Sequence, residues 1–162
     1  MRRIIPFLII VLLLFWFVLK PDFLLSETQK DTVDALGYPT NFAISYMPTG
    51  DEEKPTLTRN EVWYYPTHNL KIIFSAGKVF ETEEYTPTTT KQEPTKLKPQ
   101  NFHFNQSFAS IKRHLKSKPY EFESFAEEDD YDIKTYVSED AFFTIENGKL
   151  TYFQTFSIEY EK

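Results

Sequence analysis

The sequence predicts an α+β protein: an N-terminal transmembrane helix, then two tandem units, each a helix followed by a four-stranded antiparallel sheet. Three observations carry this reading. The stretch 61–85 recurs without a gap 71 positions later, with Val62 matching Ile133, Tyr65 matching Tyr136, Ile72 matching Phe143, Phe74 matching Ile145 and Gly77 matching Gly148. One register held over 25 residues implies one inside and one outside for each strand, hence two copies of one structural unit. Aromatic content is 17%, with 16 Phe and 10 Tyr, a composition that favours strands. A short segment with helix start and stop signals precedes each set of strands.

Residues 1–25 read as a membrane anchor. Arg2 and Arg3 precede an apolar run from Ile4 to Leu19, and only Lys20 follows closely. Positive charge before the run orients the N-terminus to the cytoplasm and the remainder outside. Lys20-Pro21-Asp22-Phe23 offers no small-residue cleavage pattern, so the anchor is expected to remain uncleaved in a bacterial inner membrane as a single pass.

The first unit spans 26–85. Ser26-Glu27-Thr28-Gln29 fits a capping box, and Gly37 with Pro39 ends the helix. Phe42–Tyr46 alternates as a strand, 48–55 is a polar turn, and Glu61–Tyr65 is the next strand, ended by Pro66. Leu70–Ser75 then pairs with Lys78–Tyr85 across Ala76-Gly77. Residues 86–106 read as a Pro/Thr-rich linker, extended and solvated.

The second unit, 107–162, repeats this order. Ser107 caps a helix whose Phe108, Ile111 and Leu115 share a face, and Pro119 stops it. Strands follow at 120–125 and 132–137, and Asn147-Gly148 joins Ala141–Glu146 to Lys149–Tyr160 in a hairpin. Parity puts Ile72, Phe74, Phe143 and Ile145 on the helix side. Trp63, Tyr65 and Ile73, with Lys134, Tyr136 and Thr144, are expected on the opposite face.

Charge and chemistry narrow the function. The net charge is −6, and setting aside Arg2, Arg3 and Lys20 leaves 15 bases against 24 acids, or −9 beyond residue 20. Such a surface repels phosphate backbones, which argues against a nucleic-acid partner. The absence of Cys excludes disulfides, thiolate metal sites and a Cys nucleophile. His68, His103 and His114 lie far apart, and no hydrolase, phosphate-loop or dinucleotide motif is present. No cofactor, no metal and no enzymatic activity are therefore expected. The run Glu127–Asp132 lacks the spacing and central Gly of a calcium loop and reads as a solvated turn.

Leu36-Gly37-Tyr38-Pro39, Glu61-Val62-Trp63-Tyr64-Tyr65 and Ile73-Phe74-Ser75-Ala76-Gly77-Lys78-Val79 resemble the small lipoproteins that accompany the outer-membrane β-barrel assembly machine. Those lipoproteins share their helix-and-sheet unit with the β-lactamase inhibitor protein, which carries it in tandem. The resemblance covers 26–85, with a fainter copy at 107–160, and implies a non-enzymatic binding role in the cell envelope. Unlike the lipoproteins, this chain has no N-terminal Cys. The combined expectation is a membrane-anchored exported protein that binds another envelope protein through an exposed aromatic sheet face. The alternative is an inhibitor or sensor domain for a cell-wall component or small ligand. Partner-binding residues are expected at Trp63, Tyr65, Ile73 and Tyr136, because Trp and Tyr dominate interface hot spots.

Overall fold

The structure, a computed structural model, describes residues 25–50, 55–87, 94–126 and 132–156. Helix α1 (Glu27–Leu36) begins at Ser26, whose hydroxyl accepts from the Gln29 N–H while the Gln29 side chain accepts from the Ser26 N–H. This reciprocal pair satisfies two donors that an uncapped helix leaves open. The Ser26 hydroxyl also donates to the Gly77 carbonyl, which fixes the helix start against a strand turn.

Eight strands follow: β1 (Asn41–Thr49), β2 (Thr56–Tyr65), β3 (Leu70–Ser75), β4 (Lys78–Glu84), β5 (Tyr120–Ala126), β6 (Asp132–Val137), β7 (Ala141–Glu146) and β8 (Lys149–Thr155). They form one antiparallel sheet in the order β4-β3-β2-β1-β8-β7-β6-β5. This corrects the expected two separate four-stranded units. The meanders β1–β4 and β5–β8 share their ladder, because Ala43, Ile44 and Ser45 of β1 pair with Gln154, Phe153 and Tyr152 of β8. An unpaired strand edge is a template for another strand, and here the paired stretches Ala43–Ser45 and Tyr152–Gln154 carry no charge and pair with each other.

The transmembrane helix is likewise not an element of the described structure. Among the described residues no helix is long and apolar enough to cross a membrane. The run at 4–19, for which the anchor was expected, lies outside them. As a helix it would rise about 24 Å, short of a hydrocarbon core of about 30 Å.

The second helix is also shorter than its sequence suggests. Helix α2 (Phe108–Lys112) has five residues, and Leu115 lies beyond it. So short a helix cannot cover the second strand set alone, and the segment expected to be a solvated linker completes the cover. Leu97, Pro99 and Phe102 are buried, and the Phe102 ring stacks on Phe153 at 3.7 Å between centroids. The Phe104 carbonyl accepts from the Leu150 N–H at 2.9 Å, tying this connector to β8.

Local geometry repeats between the two strand sets. Ala76 and Gly77 have φ of 49° and 75°, and Asn147 and Gly148 have φ of 49° and 74°. Positive φ at both central residues marks a two-residue turn whose twist suits a hairpin. The ladder shifts by one residue between Ile73 and Phe74, and again between Thr144 and Ile145, 71 positions on. Outer strands β4 and β5 carry Glu81, Glu83, Glu84, Glu121 and Glu123, and each ladder they make contains a register shift. Charge and bulges are the usual protection of free sheet edges.

Candidate functional site

The β2–β3 register decides which side chains are available. Trp63 pairs with Ile72, Val62 with Ile73 and Tyr65 with Leu70. Paired residues share a face, so Trp63 and Tyr65 lie with Ile72 and Phe74 on the helix-covered side. Trp63 is 0% exposed and Tyr65 2%. Tyr136 pairs with Phe143 and stacks on it at 5.2 Å, under Phe108 of α2, so it too belongs to the covered side. Ile73 alone of the four expected contact residues lies on the other face, half-buried. The expected patch of Trp63, Tyr65 and Ile73 therefore does not form.

Trp63 is held by a buried carboxylate. Its Nε1 donates to Glu61 Oε2 at 2.9 Å, while Glu61 Oε1 accepts from Gln29 Nε2 at 2.6 Å and from Arg59 Nε at 2.8 Å. Glu61 is 3% exposed, and a buried charge persists only when paired and hydrogen-bonded. Arg59 extends the network across the sheet. Its Nη1 donates to the Tyr46 hydroxyl at 2.9 Å and to the Phe102 carbonyl, and its Nη2 donates to the Pro99 carbonyl at 2.8 Å. Burial disfavours the guanidinium charge, but the Glu61 carboxylate more than offsets this, and the Arg59 pKa is raised. These groups lock α1, β1, β2 and the connector together.

The opposite face carries a different aromatic set. Asn60, Val62 and Tyr64 of β2 stand beside Ser75, Ile73 and Lys71 of β3, and Ala43 and Ser45 of β1 beside Gln154 and Tyr152 of β8. Beyond the seam, Tyr152 meets Phe142 edge-on at 6.0 Å, and on the other flank Tyr64 meets Tyr85 at 5.1 Å. All of these side chains are half-buried rather than enclosed. Burial raises the hydroxyl pKa of Tyr64 and of Tyr152, and the charge of Tyr64 raises that of Tyr152 further. Both helices put their apolar side chains against the core on the other face: Val33 and Leu36 from α1, Phe108 and Ile111 from α2.

The sequence held a signal for part of this set. Phe143 matches Ile72 in the repeat, so Phe142 must face the other way from the core. Tyr152 had no comparable signal, because its place beside β1 depends on a pairing between residues more than 100 positions apart. Among the described residues no group of His, Asp or Glu could hold a metal ion. No known family model, curated protein or solved structure matches the chain.

Proposed function

We propose that this chain is a non-enzymatic binding module of the cell envelope that docks another protein on its open sheet face, with Tyr64, Tyr152, Phe142 and Ile73 at the centre of contact. The observation that carries the proposal is an eight-stranded face with two aromatic pairs, Tyr64–Tyr85 and Phe142–Tyr152, flanking the small side chains of β1, against which neither described helix packs. Eight strands about 4.8 Å apart and about six residues long give a face of roughly 34 by 20 Å. That area approaches the roughly 800 Å² that one partner buries in a standard protein interface. Tyr combines a large apolar ring with a polar tip, which suits a surface that is wet when free and buried when bound. The charged start Arg2-Arg3 and the apolar run after it support export as part of the proposal.

Site-specific photocrosslinking tests it. A benzophenone side chain placed at Ile73 or at Tyr152 should trap one envelope protein, and the same group at exposed Lys112 on α2 should not. Tyr64→Ala should reduce the trapped yield, since loss of a hot-spot aromatic costs about 2 kcal/mol, roughly 30-fold in Kd. Equal trapping at Lys112, or a yield unchanged by Tyr64→Ala, would overturn the assignment.

A further inference from the structure

We infer that a cleft on the connector side of the sheet binds a small organic anion, an aromatic or apolar body carrying a carboxylate or phosphate group. The cleft encloses about 560 Å³ where β1, β2, the connector and β8 meet, within the range of about 300–1,000 Å³ usual for small-molecule sites. Its charge is the reverse of the chain's. The sequence has 24 acidic residues against a net charge of −6, yet among the described residues no carboxylate lines the cleft, whereas Lys149 and Arg59, the latter paired with Glu61 behind the wall, both do. A low-dielectric wall lined by one sign of charge concentrates ions of the other sign.

The two cations have complementary roles. Arg59 is fixed, with Glu61 on Nε, the Tyr46 hydroxyl and Phe102 carbonyl on Nη1, and the Pro99 carbonyl on Nη2. A guanidinium has five N–H donors, so these four bonds leave one N–H on Nη2 for a ligand. Lys149 is exposed, makes no ion pair with a described carboxylate, and places its ammonium 5.3 Å from the Phe104 ring centre. It can swing from the ring to an anionic head group at little cost in geometry. Apolar surface comes from Phe104, from the Tyr46 ring 5.5 Å away, and from Leu57, which is 48% exposed. Asn105 adds a neutral polar side chain at the rim. Fixed guanidinium, mobile ammonium and an aromatic wall together select an anion with an apolar body over a bare inorganic ion.

The test uses the full-length chain and four probes at matched ionic strength: benzoate, phenyl phosphate, inorganic phosphate and neutral benzamide. Amide shifts of Phe104, Asn105 and Lys149 are followed by nuclear magnetic resonance. Benzoate or phenyl phosphate should shift them saturably and more tightly than inorganic phosphate, and benzamide should not. A response to benzoate alone assigns a carboxylate ligand, and a response to phenyl phosphate alone assigns a phosphorylated one. Lys149→Gln should weaken binding about tenfold and lower the thermal midpoint by no more than about 3 °C, because the exposed Lys149 side chain serves the fold only through the Phe104 ring and its place opposite Glu146. Absence of saturable shifts with both aromatic anions, equal shifts with benzamide, or unchanged affinity in Lys149→Gln would overturn the site. The cleft and the open aromatic face lie on opposite sides of the sheet, so either can fail alone.

Discussion

Trp63→Ala separates a core tryptophan from a contact tryptophan. Trp63 is fully buried, its ring centre lies 4.6 Å from that of Phe74, and its Nε1 donates to Glu61 at 2.9 Å. Truncating a buried Trp to Ala costs about 3–5 kcal/mol through lost burial and the cavity left behind. Glu61 also loses a donor in a buried site, and a hydrogen bond to a charged group contributes about 1.5–3 kcal/mol. The two losses overlap, so a total of about 4–6 kcal/mol is expected, against a typical stability of about 5–15 kcal/mol. For a domain of this size each kcal/mol lowers Tm by about 3 °C or more, so Tm should fall by at least about 12 °C. Trp63→Phe keeps a ring against Phe74 and loses chiefly the Glu61 bond, and should fall by about half as much. Thermal unfolding followed by near-ultraviolet circular dichroism measures both. A loss below about 1 kcal/mol in Trp63→Ala would refute the burial argument and return Trp63 to the surface.

The two hairpin glycines differ in what a methyl group would meet. Gly148 has open space around it, so Gly148→Ala should cost about 1–2 kcal/mol for positive φ alone, whereas the new carbon in Gly77→Ala would lie 2.8 Å from the Ser26 Cβ. Gly77→Ala should therefore lower the urea midpoint clearly more, by disturbing the α1 cap as well; equal midpoints would contradict the packing of Ser26 on the turn. Tyr64 and Tyr152 both titrate above 10.0, Tyr64 chiefly through burial and Tyr152 through burial and then the charge of Tyr64. The fold thus favours their neutral forms, so their contribution is fully present below the unfolded value near 10 and is lost as pH rises through the folded values. Stability should decline above about pH 10, less steeply in a Tyr64→Phe, Tyr152→Phe double variant, and identical slopes in chemical denaturation would count against the half-buried hydroxyls.

Much of the local structure was legible in the chain. Ser26 and Gln29 carry the capping box, Asn147-Gly148 carries the turn, and the alternation of Ile72, Phe74, Phe143 and Ile145 marks their buried side. These features depend on neighbours a few residues apart, where propensity and period are decisive. Which aromatic side chains face away from the helices was not legible, because it depends on strand register. The 3-10 turn at Pro66–His68 and the left-handed Asn69 set Tyr65 opposite Leu70. A slip of one residue would exchange the two faces, and that is the difference between Trp63 as an anchor and Trp63 as core.

The sequence by itself determined the strands, their turns, the first helix and the acidic exterior, since each follows from local pattern or from composition. Only the tertiary structure decided that the two strand sets form one sheet, that residues 94–106 cover it, and that Tyr64 and Tyr152 lie on the same face, opposite the helices. Those outcomes rest on pairing between Ala43–Ser45 and Tyr152–Gln154 and on Phe102 stacking upon Phe153. Contacts so distant in sequence leave no periodic trace, because their free energy comes from surfaces that exist only once each strand set has formed.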